Sequence, residues 1–164
     1  MLCGAGPGVH VLDIACGTGV MEPELLKLGA AQITAIDIAE NMVKKARENY
    51  NGEEKIRFVA CDLLEFEGGP FDCALLYNAY PHFPEKAAVL QKVASLLKPG
   101  GRFTVAHGAG RKTINAHHDG SARCVSVGLK SAKEEAAVWN QFFFVDTLVD
   151  TEDIYIISGT VKLL

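Results

Sequence analysis

The sequence has no apolar run approaching the ~20 residues that a membrane-spanning helix needs, so no membrane association is expected. It has no basic excess either. Lys and Arg number 16 against 20 Asp and Glu, a net charge of −4 at pH 7. A free-standing nucleic-acid binder would carry a basic stripe, so unaided nucleic-acid binding is not expected. There is no C-x-x-C pair. The five cysteines (Cys3, Cys16, Cys61, Cys73, Cys124) are odd in number and scattered, which fits reduced thiols in the cytoplasm rather than a disulfide frame. Residues 1–8 hold no Lys or Arg and no long apolar stretch, unlike a signal peptide. The low hydrophobicity and high net charge of disordered chains are also missing. Hydrophobic residues make up 49% of the 164 residues and charged ones 22%. That length suits one domain of roughly 100–200 residues, spanning 1–164.

What is present is an alternation of short β-branched runs with amphipathic helical windows, the mark of an α/β fold with a parallel sheet. Strands are expected at 9–14, 32–36, 56–60, 71–77 and 102–107. The run at 71–77 is nearly all apolar, as suits a strand buried on both faces. Helices are expected at 20–28, ended by Gly29, at 40–50, with Met42, Val43, Ala46 and Tyr50 on one face, and at 84–97. Lys98-Pro99-Gly100-Gly101 reads as a turn. Residues 112–118 suit a short helix, and 121–129 are ambiguous. Residues 131–141 form a helix opened by Ser131 and Glu134 as a capping box. Strands at 142–149 and 154–162 then follow, joined so tightly that they must pair antiparallel. Trp139 is expected to pack beneath the apolar run 142–145, whose exposed part can serve as a dimer face.

The sharpest signal is Asp13-Ile14-Ala15-Cys16-Gly17-Thr18-Gly19 at the first strand–helix junction. Ligands of doubly wound sheets bind at the carboxyl ends of the strands, near the topological switch point. Gly17 and Gly19 allow a tight turn and a close approach of backbone to ligand. Asp37, ending the second strand, can accept hydrogen bonds from two ribose hydroxyls, as it would in either a nucleoside or a dinucleotide site. The third glycine of G-x-G-x-x-G is missing, because Glu22 holds its position. A carboxylate there is poor company for a pyrophosphate. Asp13 and Asp62, around the same pocket, suit a ligand bearing positive charge.

These segments together resemble the class I S-adenosylmethionine (SAM)-dependent methyltransferases, over residues 9 to about 162. The resemblance implies a Rossmann-like seven-stranded sheet, order 3-2-1-4-5-7-6, mostly parallel with strand 7 antiparallel and helices on both faces. It implies that Asp13, Ala15, Cys16, Gly17, Thr18 and Gly19 form the glycine-rich loop around the methionine part of SAM. Asp37 would hold the ribose, with Ile38 and Met42 beside the nucleoside. Cys61, Asp62 and Leu63 look like the adenine motif, with Asp62 bonding the exocyclic amine and the Leu63 amide a ring nitrogen. Asn78 would orient SAM or the acceptor. The implied activity is SAM-dependent methyl transfer to a small molecule, with S-adenosylhomocysteine (SAH) as product. Cys16 and Cys61 read as small apolar fillers.

The acceptor is expected past the fourth and fifth strands. His82 can act as a base, imidazole having an ordinary pKa near 6.5, or can pack with Phe83 over SAM. His107 ends the fifth strand. Asn115 and His118, three apart, share a helix face. The three histidines are the catalytic candidates. A metal held by His107, His118 and either His82 or Asp119 has no established spacing behind it, so no metal is expected. Only about eight residues precede the first strand, so an N-terminal lid over the acceptor is short or absent. Rival readings are a SAM-binding protein without turnover, an NAD-linked oxidoreductase, and a methyltransferase acting on a macromolecule with a partner subunit.

Overall fold

The computed structural model describes residues 3–118 and 128–162. Seven strands join one sheet in the order β3-β2-β1-β4-β5-β7-β6. They are β1 (His10–Ile14), β2 (Gln32–Asp37), β3 (Ile56–Ala60), β4 (Phe71–Tyr77), β5 (Leu97–His107), β6 (Phe143–Asp150) and β7 (Tyr155–Val161). The pairs β1–β2, β2–β3, β1–β4 and β4–β5 are parallel. The pairs β5–β7 and β6–β7 are antiparallel, as the short connection between the last two strands demands. The five α-helices are α1 (Glu22–Lys27), α2 (Glu40–Asn49), α3 (Lys86–Leu96), α4 (Arg111–His118) and α5 (Ala132–Trp139).

Side-chain alternation divides the core in two. In β1, Leu12 and Ile14 join the core under α3 and α5, while Val11 joins the one under α1 and α2. In β4, Ala74 and Leu76 take the first face and Cys73 and Leu75 the second. This strand is therefore buried on both sides, as its apolar run requires. The first core centres on Trp139, which is fully buried. Its indole stacks on Phe103 at 4.9 Å between centroids, meets Phe143 at 5.4 Å, and donates through Nε1 to the Tyr80 hydroxyl at 3.1 Å.

Element boundaries differ from the sequence reading where special residues intervene. Helix α1 starts at Glu22, not at residue 20, because Pro23 belongs in the first turn; Val20 is left outside, 65% exposed. Its end is closed by Gly29 at φ +89, with the Ala30 amide donating to the Leu25 carbonyl, the Schellman arrangement. Helix α3 starts at Lys86, and Pro84 stays ahead of it. Residues 98–101 lie within β5, but they loop out of register. Phe71 pairs with Leu97 and Cys73 with Arg102, so the expected turn survives as a bulge with Gly100 at φ +74. The capping box is present: the Glu134 amide donates to Ser131 Oγ at 3.3 Å, and the Ser131 amide to Glu134 Oε2 at 3.0 Å. Most of the ambiguous stretch 121–129, with Cys124, lies outside the described residues.

Candidate active site

The sheet order reverses at β1, which has β2 on one side and β4 on the other. A cleft of about 690 Å³ opens there, at the carboxyl ends of the strands, where ligands of such sheets bind.

The glycine loop forms its floor. After Ile14, the backbone reverses through Ala15 at φ 57, Gly17 at φ 58 and Gly19 at φ 88. A left-handed conformation costs a residue with a Cβ roughly 1–2 kcal/mol, so Ala15 carries local strain on the cleft wall. A Cβ at Gly17 would meet nothing within 4 Å, so this glycine faces open space. Gly19 differs, for a Cβ there would stand 2.4 Å from the Tyr50 ring. The Tyr50 hydroxyl donates to the Gly19 carbonyl at 2.5 Å, and Asn49 Nδ2 to the Thr18 carbonyl at 3.1 Å. The end of α2 thus grips the outer side of the loop.

Asp37 holds the inner side. Its Oδ2 accepts from the Gly17 amide at 2.8 Å and its Oδ1 from the Ala39 amide at 2.9 Å. A carboxylate has about four lone-pair sites, so two remain for a ligand. Beyond it, Ile38 and Met42 stand in the cleft 72% and 47% exposed. Met42 is therefore a cleft residue and not part of the buried face of α2, which consists of Val43 and Ala46. From β3, Cys61, Asp62 and Leu63 reach the same cleft. Asp62 Oδ1 accepts from the Leu64 amide at 2.8 Å, fixing the turn.

The far wall comes from the segment after β4. Asn78 takes φ 55; its amide donates to the Ala106 carbonyl, and its Oδ1 accepts from the Gly108 amide at 3.0 Å. A 3-10 turn, Tyr80–His82, follows and presents His82 to the cleft with Ala79 and Phe83. The turn is held from behind. The Lys86 ammonium sits 3.8 Å over the Tyr80 ring and donates to the Tyr80 carbonyl. Burial lowers that ammonium to about 8.

Of the expected cofactor residues, the structure brings Ala15, Gly17, Asp37, Ile38, Met42, Cys61, Asp62 and Leu63 to one cleft. Asp13, Cys16, Thr18, Gly19 and Asn78 shape the loops without lining it. Burial first, then the charges of Asp13 and Glu22, push the Cys16 thiol far up, leaving it an inert filler. Among the catalytic candidates, His82 lines the cleft and His107 does not. His107 is 3% exposed, packed edge-on to Tyr155 at 6.0 Å. The reason is alternation, since His107 shares its strand face with Phe103 and Val105, both core residues. His118 ends α4, and its side chain lies outside the described residues, as does Asp119. Asn115 is engaged by the backbone of Leu129. Its Oδ1 accepts from the Leu129 amide at 2.8 Å and its Nδ2 donates to the Leu129 carbonyl at 3.0 Å. Among the described residues, no three His, Cys, Asp or Glu side chains gather as a metal-holding group. The sequence reading missed Leu64, Glu85 and Val89, which also line the cleft. Leu64 follows directly on the adenine-like motif, a signal open to view; Glu85 and Val89 come from the start of α3 and need the fold to be placed.

A methyltransferase-domain family model matches residues 11–101, more than half of the chain. The ubiquinone biosynthesis O-methyltransferase of Xanthomonas campestris pv. campestris is 38% identical over 100 residues, 58% of this chain and 41% of that protein. The enzyme of the same name from Xylella fastidiosa is 37% identical over 103 residues, 60% of this chain and 41% of that one. The match thus spans about two fifths of the length of these curated relatives. In three dimensions the chain is similar to an S-adenosylmethionine-dependent methyltransferase from Mesorhizobium loti, with TM-score 0.77 and 15% identity, covering 97% of this chain and 94% of that one. A chain from the complex of the Haloferax volcanii Trm112 methyltransferase activator with its methyltransferase gives TM-score 0.82 at 18% identity, covering 97% and 85%. These structural likenesses concern the fold; the match across 11–101, which runs from β1 through the glycine loop and Asp37 to the bulge of β5, makes this chain a member of the methyltransferase-domain family.

Proposed function

We propose that residues 1–164 form one SAM-dependent methyltransferase domain that transfers a methyl group to a small-molecule acceptor by in-line displacement. The observation that carries this reading is the single cleft in which Gly17, the Asp37 carboxylate and the Cys61–Leu63 turn converge. The residues fit the cofactor. Asp37 keeps lone pairs for two ribose hydroxyls while its amide bonds hold the loop in shape. Ile38, Met42 and Leu64 offer wet apolar surface that a purine ring would cover, a burial gaining about 25 cal/mol per Å². Asp62 stands at the rim to accept from an exocyclic amine, beside the Leu63 amide. SAM would supply a methyl group activated on a sulfonium. The chain would supply position, since alignment of the reacting atoms at about 3 Å is worth several kcal/mol.

Among the described residues, His82 is the catalytic candidate that lines the cleft. It would take a proton from the acceptor if the acceptor must lose one. The curated relatives are O-methyltransferases by name, so hydroxyl-bearing small molecules are the first acceptors to try. Calorimetric titration with SAM, SAH and NAD tests the cofactor. Binding of SAM and SAH without NAD is expected; NAD binding in their place would sink the reading in favour of an oxidoreductase. SAH release in an acceptor screen then separates an enzyme from a binding protein without turnover.

A further inference from the structure

Two carboxyls lie behind the glycine loop, off the cleft wall, and the reading above leaves them without a task. Asp13 is 1% exposed and Glu22 is fully buried. Alternation along β1 turns Asp13 towards α1 and α2, with Val11, and Glu22 opens α1 on that same side. Asp13 Oδ2 and both Glu22 carboxyl oxygens are buried and have no side-chain hydrogen-bond partner among the described residues other than each other. Two ionised carboxyls have no proton to share, so they bond to each other only when one is protonated. Burial first, then the Glu22 charge, its hydrogen bond to Glu22 and the Asp37 charge push Asp13 well above the carboxylate range, so the pair holds one proton between them. Glu22 is raised too, chiefly by burial. The titratable groups facing the pair are Cys16 from the loop, Tyr50 from α2 and Asp37 from β2, none of them cationic.

The cleft on the other side of the loop repeats this bias. Its charged lining residues are Asp37, Asp62 and Glu85, and no Lys or Arg lines it among the described residues. The two compartments communicate, because Asp37 lines the cleft and its charge registers on Asp13.

We infer that the Asp13–Glu22 pair sets the charge preference of the cleft: positive charge on a bound ligand draws the shared proton off the pair into solvent, so cationic ligands bind with proton release and neutral ones without it. This rests on the cofactor reading above, and it makes Glu22 a specificity-determining residue that touches no ligand. The test compares SAM with 5′-methylthioadenosine, the neutral nucleoside thioether without the amino-acid end. Both are titrated calorimetrically from about pH 5.5 to about pH 8, in two buffers of different ionisation enthalpy. SAM affinity is expected to rise with pH, approaching tenfold per pH unit where a full proton is released, while 5′-methylthioadenosine affinity stays flat. Glu22→Gln, of the same size, is expected to bind SAM without the slope and without proton release. His82 lines the cleft, and an imidazole ordinarily changes charge between about pH 5 and 8; a slope arising there would persist in Glu22→Gln. Equal slopes for the two ligands, or a slope retained in Glu22→Gln, overturn the role of the pair and leave the cofactor reading standing. Failure of both nucleosides to bind overturns the cofactor reading and this inference with it.

Discussion

The carboxyl edge of the sheet has two halves built on different terms. Beyond β1, β2 and β3, one carboxylate and two side chains from the end of α2 converge on a single glycine loop. Asp37 ties the glycine loop to α2, and Tyr50 with Asn49 ties it from outside. Beyond β4 and β5, side chains join loop to loop: Asn78 bonds Gly108, and Asn115 bonds Leu129. The first half gathers its bonds on one loop, around glycines and an acid. The second half spreads its bonds over separate loops, each fixed by its own asparagine. A cofactor common to many reactions suits the first, and an acceptor peculiar to one reaction suits the second.

Breaking the first half should produce the largest effects. Gly19→Val puts a branched side chain at φ 88 into the Tyr50 ring. We expect about 3 kcal/mol of destabilisation, from overpacking together with left-handed strain. SAM binding should be lost as well, read by thermal unfolding and calorimetry. Asp37→Ala removes the acceptor of two loop amides and should weaken SAM binding by about 1–3 kcal/mol. An unchanged affinity in a folded variant would refute its ribose role. His82→Ala sharpens the comparison from the other side. It should lower turnover by at least tenfold, about 1.4 kcal/mol, with SAM affinity within about twofold. Equal loss of both would place His82 with the cofactor instead.

Glu22→Gln tests the loop from behind. The folded state holds the Asp13 proton to higher pH than the unfolded chain does. The pair's contribution is therefore most favourable at acid pH and is lost as pH rises above about 4. The variant should unfold at a higher temperature than wild type near pH 7.5, by ~1 kcal/mol or 2–4 °C. The gain should vanish as pH falls towards 4, and a gain constant with pH would refute the account. The smallest effect is Asn115→Ala. It should cost ~1 kcal/mol of stability through the two lost bonds to Leu129 and leave SAM binding untouched.

The same division governs what could be read from the sequence. The order of the sheet, Gly17, Asp37 and the 61–63 turn were legible because backbone chemistry restricts the residues allowed there. Ser131 and Glu134 were legible for the same reason. His107 is buried and off the cleft wall, and its strand alternation with Phe103 and Val105 already pointed it inward. Asn115 was legible only as one side of a helix face, because its partner, Leu129, lies 14 residues away across an ambiguous stretch. No local pattern announces such a bond. Met42, expected beside the nucleoside by resemblance, stands in the cleft, although helical periodicity alone would have buried it.

The bulge at residues 98–101 interrupts β5 at its amino end, whereas the cleft opens at the carboxyl ends of the strands. Pro99 and Gly100 are exposed there, in a stretch already out of ladder register. An affinity handle or a fluorophore-bearing peptide spliced between them would protrude from the pole of the molecule opposite the cleft. The protein could then be tethered to a sensor surface with the cleft facing the flowing solution.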